Sequence, residues 1–144
     1  MASQFFLQAV HYASRIQKII DAGEIPLIVL LRGPLGAGKT TLVKEILSEL
    51  EFDSRTVQSP TFLKLLEYRN SKGLLALHID TYRMQEAGDL ESLGLASYAE
   101  FHVCFVEWPD LFVEFLKQNP SIELLWGKFK IWEIEIDSKH QIMG

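Results

Sequence analysis

The chain contains the octapeptide Gly33-Pro34-Leu35-Gly36-Ala37-Gly38-Lys39-Thr40 between an apolar run, residues 27–31, and a helical pattern, residues 41–50. This octapeptide matches G-x-x-x-x-G-K-[ST], a glycine-rich turn that leads from a buried strand into a helix. Glycines allow successive backbone N–H groups to converge on phosphate oxygens at the positive end of the helix dipole. The sequence therefore predicts a nucleotide-binding loop, and the alternative is a glycine-rich turn that only caps a helix.

Two polar side chains at the end of the octapeptide suit the chemistry of a triphosphate. The Lys39 ammonium is placed to reach the terminal phosphates, and the Thr40 hydroxyl is placed to ligate Mg2+. The absence of an Asn-Lys-x-Asp guanine-reading motif favours ATP. The residues of the octapeptide that we expect to contact the nucleotide are Gly33, Leu35, Gly36, Ala37, Gly38, Lys39 and Thr40.

Length and charge limit the class of protein. With 144 residues, 48% of them hydrophobic, the chain suits a single domain, residues 1–144, with a substantial core. The net charge of -5 and the lack of a cluster of Lys and Arg argue against nucleic acid as a strong partner of the chain alone. Any contact with RNA is therefore expected to be weak or relayed through another protein.

Cysteine usage and apolar runs indicate the compartment. The single cysteine, Cys104, excludes an intrachain disulfide and a cysteine-based zinc site, and its apolar neighbours predict a core position. The N-terminus lacks the pattern of a signal peptide, and no apolar run reaches the length of about 18 residues that a membrane span needs. We expect a cytoplasmic protein.

Periodic patterns predict the other elements. Two extended runs, 62–68 and 74–80, flank the polar turn 70–73 and predict a hairpin. Helices are indicated at 85–98, with a break at Gly94, and at 110–117, with Pro109 early in that helix. An N-terminal helix that stops near Gly23 and packs on the sheet is indicated by an apolar face: Phe6, Val10, Ala13, Ile16 and Ile20.

The last elements complete the predicted sheet. Residues 103–106 form a short buried strand, and residues 130–137 alternate apolar and acidic side chains as a half-exposed edge strand does. The acids of this last strand are expected to form a solvated face. The fold class is therefore α/β: a P-loop NTPase-like three-layer sandwich with a mixed, mostly parallel central sheet and an antiparallel hairpin or edge.

Two acids follow apolar strands in the way that a magnesium site requires. Asp80 ends the run 74–79 and Glu107 ends the run 103–106. Ligands of open α/β sheets collect at the carboxyl ends of parallel strands, so both acids are expected near the phosphates. The alternatives are that Asp80 only forms a turn and that Glu107 only pairs with a nearby basic side chain.

Two further residues have open roles. Trp108 is either a packing residue or an aromatic next to the nucleotide, in which case it reports binding by fluorescence. Thr61 is either an ordinary turn residue or a switch that senses the γ-phosphate or the metal.

Five motifs then occur in a fixed order, and together they resemble the TsaE family, the small ATPase of bacterial tRNA threonylcarbamoyladenosine synthesis. The similarity covers roughly residues 27–110. The motifs are Gly-x-Leu-Gly-Ala-Gly-Lys-Thr-Thr (33–41), Ser-Pro-Thr-Phe (59–62), His-x-Asp-x-Tyr-Arg (78–83), Leu-Glu-x-Leu-Gly (90–94) and Val-Glu-Trp-Pro (106–109).

The resemblance implies ATP and Mg2+ as cofactors and slow hydrolysis in support of modifying adenosine 37 of tRNAs that read ANN codons. It implies TsaD-like and TsaB-like partner subunits, with tRNA contacted only indirectly. It adds Thr41 to the residues that contact the nucleotide phosphates. It gives Mg2+ to Thr40 and Glu107 with Asp80 close by, places Thr61 in a switch-like loop and makes Trp108 the neighbouring aromatic.

The mechanism that we expect is metal-assisted transfer of the γ-phosphoryl group to water. Lys39, Asp80 and Glu107 are the expected catalytic residues, and Arg83 is the best internal candidate for an activating arginine. Turnover of the chain alone is therefore expected to be weak. Two rival functions are a nucleotide-gated binding module with negligible catalysis and a small-molecule kinase.

Overall fold

The apolar run before the loop forms strand β1 (Leu27–Arg32), whose residues are almost all buried. The remaining elements, in chain order, are α1 (Gln4–Asp21), α2 (Lys39–Glu49), β2 (Leu65–Arg69), β3 (Leu75–Asp80), α3 (Gly88–Ser92), β4 (Val103–Glu107), α4 (Asp110–Gln118), α5 (Ile122–Trp126), β5 (Lys130–Ile136) and β6 (Ile142–Met143). The computed structural model describes residues 4–52, 65–82, 84–86, 88–92, 94–95, 98, 100–137, 139 and 142–143.

Within these residues the strands form one sheet in the order β2-β3-β4-β1-β5-β6. Strands β3, β4, β1 and β5 are parallel to one another. Strand β2 pairs with β3 in an antiparallel hairpin, and β6 pairs with β5 in the same sense. Because these strands are parallel neighbours, the C-terminal ends of β1, β3 and β4 lie at the same end of the sheet. The glycine-rich loop begins at that end.

The core lies on both faces of this sheet, because the side chains of a strand point alternately to opposite faces. On one face, Leu27, Val29 and Leu31 pack in a cluster with buried residues of α1 and α2. On the other face, Ile28 and Leu30 pack in a cluster with residues of α3, α4 and α5. The expected three-layer α/β sandwich with a mixed, mostly parallel sheet is therefore confirmed.

Most of the expected elements are present. The hairpin is confirmed for residues 65–69 and 75–80, and residues 62–64 lie outside the described part of the chain. In α1, Ala13 and Ile16 are buried as expected, and Ala9 and Tyr12 are buried beside them. Cys104 is buried in the core, where desolvation raises the pKa of its thiol. No helix in the described ranges is long and apolar enough to cross a bilayer.

The expected helix over residues 85–98 is wrong in its extent. The described helix, α3, begins at Gly88 and ends at Ser92. It begins late because Gln85 and Glu86 donate their backbone N–H groups to the Asp89 carboxylate. Such local side-chain to backbone hydrogen bonds compete with helix formation. Apolar periodicity does not reveal this competition.

The expectation that residues 130–137 form an edge strand also needs correction. Strand β5 pairs with β1 along most of its length, and its last two residues pair with β6. Alternation of apolar and acidic residues reports which face of a strand is buried, and it does not report whether the strand has one hydrogen-bonded neighbour or two. The face assignment itself holds, since Ile134 and Ile136 are buried.

Candidate nucleotide-binding site

The glycine-rich loop takes a path that side chains would obstruct. Gly36 has a φ of 81° and Gly38, the residue before α2, has a φ of 108°, both in the left-handed region that glycine adopts freely. At Gly33 a Cβ atom would lie 2.4 Å from the carbonyl oxygen of Ile136. Glycine is therefore needed in the loop both for its turns and for the close approach of the end of β5.

Lys39, the first residue of α2, is folded against its own loop. Its Nζ donates to the carbonyl oxygens of Gly33 at 2.6 Å and Pro34 at 3.1 Å, and its side chain is only 5% exposed. Burial lowers the pKa of Lys39, and the negative charges of Glu107 and Asp80 oppose this shift. Loop carbonyls thus hold a poorly hydrated ammonium group next to the cleft, where a phosphate is a stronger partner for it.

Thr40, Glu107 and His78 form a hydrogen-bonded chain from the loop into the sheet. The Thr40 hydroxyl lies 2.8 Å from Glu107 Oε1 and 2.9 Å from Oε2 and donates to this carboxylate. His78 Nε2 lies 2.6 Å from Glu107 Oε2. Glu107 is 3% exposed and His78 is fully buried. A threonine hydroxyl that gives its hydrogen to a carboxylate keeps its lone pairs for a cation.

Asp80 lies directly beside Glu107, because these two residues are paired in the parallel register of β3 and β4. Its Oδ1 accepts the backbone N–H of Tyr82 at 2.9 Å, so the side chain also forms the turn that follows β3. Burial raises the pKa of Asp80, the hydrogen bond from Tyr82 opposes the shift, and the charge of Glu107 adds to it. The two carboxylates therefore concentrate negative charge at one sheet edge.

Aromatic rings form one wall of the site. The Lys39 Nζ lies 3.8 Å from the centroid of the Trp108 ring, and the Tyr82 ring lies 4.8 Å from that ring between centroids. Trp108 has a φ of 57°, an uncommon conformation for a residue with a large side chain. The buried Thr81 hydroxyl donates to the carbonyl oxygens of Glu107 and Trp108. These contacts fix the Trp108 ring over the lysine.

Together these groups enclose a cleft of about 270 Å3 at the end of the parallel strands. Its oxygen donors are the Thr40 hydroxyl and the carboxylates of Asp80 and Glu107, the hard ligands that Mg2+ prefers. The composition of the cleft fits a phosphate chain with Mg2+. The residues that line it are Leu35, Gly36, Gly38, Lys39, Thr40, Thr41, Asp80, Tyr82, Glu107 and Trp108.

Residues 7–141 match the family model described as "Threonylcarbamoyl adenosine biosynthesis protein TsaE". The chain belongs to the TsaE family.

Individual relatives carry the same family name, "tRNA threonylcarbamoyladenosine biosynthesis protein TsaE". The Haemophilus influenzae protein is 36% identical over 88 residues, which are 60% of this chain and 54% of that protein. The Aquifex aeolicus protein is 37% identical over 99 residues, 68% of this chain and 67% of that protein. The chain thus spans 54% to 67% of the length of these TsaE proteins. The crystal structure of Bacillus subtilis YdiB is 27% identical, with a TM-score of 0.45, and the match covers 88% of this chain and 71% of that one.

The structure brings together most of the residues that the TsaE motifs single out. Gly33 and Ala37 are absent from the lining of the cleft, and the Ala37 side chain is buried in the core beside α2. Thr61 and Arg83 lie outside the described residues. All the other expected nucleotide, metal and aromatic residues line the cleft.

Sequence reasoning gave no role to three residues beside the cleft, although all three lie within the motif at 78–83. His78 stands two residues before Asp80, and that spacing on a strand places both side chains on the same face, so the signal was present. Thr81 and Tyr82 follow the strand in a turn, where no periodic pattern indicates the direction of a side chain.

Proposed function

We propose that this chain binds ATP with Mg2+ and hydrolyses it slowly in support of threonylcarbamoylation of adenosine 37 in tRNAs that read ANN codons. Membership of the TsaE family supports the pathway, since its relatives are named for tRNA threonylcarbamoyladenosine biosynthesis. The observation that carries the chemistry is the hydrogen bond from Thr40 to Glu107. It joins a hydroxyl in the glycine-rich loop to an acid at a strand end, which is the pairing that a magnesium-bound triphosphate requires.

Each residue of the cleft has a role in this proposal. Backbone N–H groups of the loop hold the phosphates in line, and Lys39 exchanges its loop carbonyls for phosphate oxygens. Thr40 and Glu107 hold Mg2+, which supplies charge neutralisation on the phosphates. Asp80 lies beside Glu107 and lines the cleft, so it is suited to orient the attacking water.

Weak turnover by the chain alone follows from its arginines. Within the described residues, no arginine lines the cleft. Arg32, at the end of β1, is engaged by the carboxylates of Asp110 and Glu133. An arginine that stabilises transition-state charge is worth about 10^3 to 10^5 in rate in related phosphoryl transfers. We therefore assign that contribution to a partner subunit; Arg83 is the internal alternative, which would make the isolated chain fully active.

The partners in this proposal are TsaD-like and TsaB-like subunits, in the cytoplasm. The net charge of -5 supports an indirect contact with tRNA, because affinity for a phosphate backbone depends on clustered cations.

Phosphate release from ATP, measured with and without the partner subunits, tests the proposal. We expect slow release by the chain alone and a clear increase in the complex. Full activity in the isolated chain contradicts the assignment of the activating group to a partner.

A nucleotide-gated module is the second candidate, and the lack of an arginine in the described cleft favours it. It predicts tight ATP binding and no phosphate release even with partners. Transfer of the γ-phosphate label to a small molecule instead of water would identify the kinase alternative.

A further inference from the structure

His78 is a fully buried histidine that no phosphate role explains. It lies on β3, on the face toward α2, opposite Phe105 of β4 in register. Its Nε2 is 2.6 Å from Oε2 of Glu107, and it is absent from the lining of the cleft. His78 therefore contacts Glu107 on the side away from the cleft and does not line the cleft itself.

The proton positions around Glu107 follow from its neighbours. An ionised carboxylate only accepts hydrogen bonds, and Thr40 already donates to it. Nε2 of His78 must then carry the hydrogen and donate. The other ring nitrogen, Nδ1, is buried and has no hydrogen-bond partner among the described residues.

This orphaned nitrogen argues against a merely structural histidine. A buried polar atom without a partner is costly, and an apolar side chain of similar size would fill the same space without that cost. By contrast His102, which is half-buried, uses its Nδ1 to accept the backbone N–H of Leu75 at 3.0 Å, as a structural histidine does. The contact that distinguishes His78 is the one to Glu107.

We infer that His78 is a positioning residue for the magnesium site. Its N–H holds one oxygen of Glu107, so the carboxylate cannot rotate away from Thr40 and its remaining lone pairs stay directed at the cleft. Groups that hold a metal-binding carboxylate in this way set the affinity for the metal without touching it. This inference rests on the proposed function, because it requires Mg2+ at Thr40 and Glu107.

The test compares three substitutions of His78 in the full chain. In His78→Gln the amide nitrogen replaces Nε2 as a donor at similar reach. His78→Leu removes the donor and keeps the volume. His78→Asn keeps the amide but is one methylene shorter, so it replaces the leucine variant if that variant does not fold.

The readout is binding of a non-hydrolysable ATP analogue, followed by calorimetry in EDTA and across a Mg2+ titration. We expect His78→Leu and His78→Asn to raise the half-saturating Mg2+ concentration by about tenfold or more while affinity in EDTA stays within about twofold. We expect His78→Gln to restore most of the Mg2+ response. The matched control is His102→Gln, which is expected to lower thermal stability without changing the Mg2+ response.

Two failures are distinguishable. If the wild-type chain ignores Mg2+, the proposed function fails, and the role of His78 fails with it. If the wild type responds to Mg2+ and the His78 variants respond equally, or lose affinity in EDTA by the same factor, His78 is structural and the inference alone is wrong.

Discussion

The Thr40 hydroxyl donates to both carboxylate oxygens of Glu107, at 2.8 and 2.9 Å, although 67 positions separate the two residues in sequence. Thr40 lies in the first turn of α2 and Glu107 is the last residue of β4. The contact exists because β4 is the parallel neighbour of β1, so both chain segments reach the same edge of the sheet. A hydroxyl from the loop and an acid from the adjacent strand are thereby held together, as the proposed magnesium site requires.

Replacing Lys39 is expected to separate function from folding. In Lys39→Ala we expect ATP hydrolysis to fall by at least about a hundredfold, because a preorganised charge at the phosphates is lost. The fold is expected to survive, since removal of an ammonium whose pKa burial already lowers relieves an unfavourable desolvation. Phosphate release and thermal unfolding measure the two effects. The control is Lys44→Ala on the exposed side of α2, and unchanged hydrolysis in Lys39→Ala would refute the site.

Removing the charge of Glu107 tests the metal assignment directly. In Glu107→Gln the side chain can still accept from Thr40, so the loop geometry should persist. We expect affinity for ATP in EDTA to be equal or higher, because a negative charge next to the phosphates is gone, and the gain in affinity from Mg2+ to be lost. Calorimetry with and without Mg2+ measures this difference. Glu135→Gln, at an exposed position on β5, is the control, and an intact Mg2+ response in Glu107→Gln contradicts the assignment.

Trp108 should report nucleotide binding. The Lys39 ammonium lies 3.8 Å from the centre of its ring, and phosphates are expected to draw that cation away. The emission of Trp108 should therefore change when ATP is added. Trp126 is buried on the face of the sheet that packs against α3, α4 and α5. The Trp132 ring lies under Arg15, with 4.4 Å between the ring centre and the guanidinium carbon. We expect the change to persist in Trp126→Phe and to vanish in Trp108→Phe; a signal that survives in the second variant would place the nucleotide elsewhere.

Much of this site was accessible from sequence, for specific reasons. The loop has a motif whose residues are constrained one by one, and an acid at the end of a buried strand is placed by parallel pairing alone. Asp80 both forms a turn and lines the cleft, since only one of its carboxylate oxygens accepts the backbone N–H of Tyr82.

The remaining features depend on contacts that no local pattern encodes. The orientation of Tyr82 is set in a turn, and the late start of α3 is set by hydrogen bonds to Asp89. No periodic pattern predicts the second neighbour of β5, because that neighbour, β6, has only two residues. His78 could have been found from its spacing to Asp80, but only a structure shows its hydrogen bond to Glu107.

The Tyr98 hydroxyl donates to Glu67 at 2.9 Å and links the segment after α3 to β2. Desolvation, with help from this hydrogen bond and the charge of Glu67, raises the pKa of Tyr98 from 10.0 to about 12. A phenol whose pKa is higher in the folded chain than in the unfolded chain stabilises the fold at pH values below the unfolded-state pKa. That stabilisation is lost as the pH rises through the folded-state pKa. Tyr98→Phe should therefore lower the free energy of unfolding by about 1 kcal/mol at pH 7.

The difference between Tyr98→Phe and the wild type should shrink between pH 10 and pH 12, the interval between the two pKa values. Urea unfolding at a series of pH values measures it, and absorbance of the tyrosinate gives the pKa independently. A double-mutant cycle with Glu67→Gln isolates the pair. A difference that is constant with pH would show that Tyr98 stabilises by packing alone.

Replacing Gly33 is expected to destabilise the fold. A Cβ at this position would lie 2.4 Å from the carbonyl oxygen of Ile136, and backbone on both sides would have to move. We expect Gly33→Ala to lower the free energy of unfolding by about 1 to 3 kcal/mol, the usual range for overpacking. Gly88→Ala is the control, because a Cβ there meets nothing within 4 Å and α3 begins at this residue. Chemical unfolding of both variants measures the effect. If Gly33→Ala and Gly88→Ala are equally stable, the end of β5 can move to accommodate the Cβ, and the path of the loop depends only on Gly36 and Gly38.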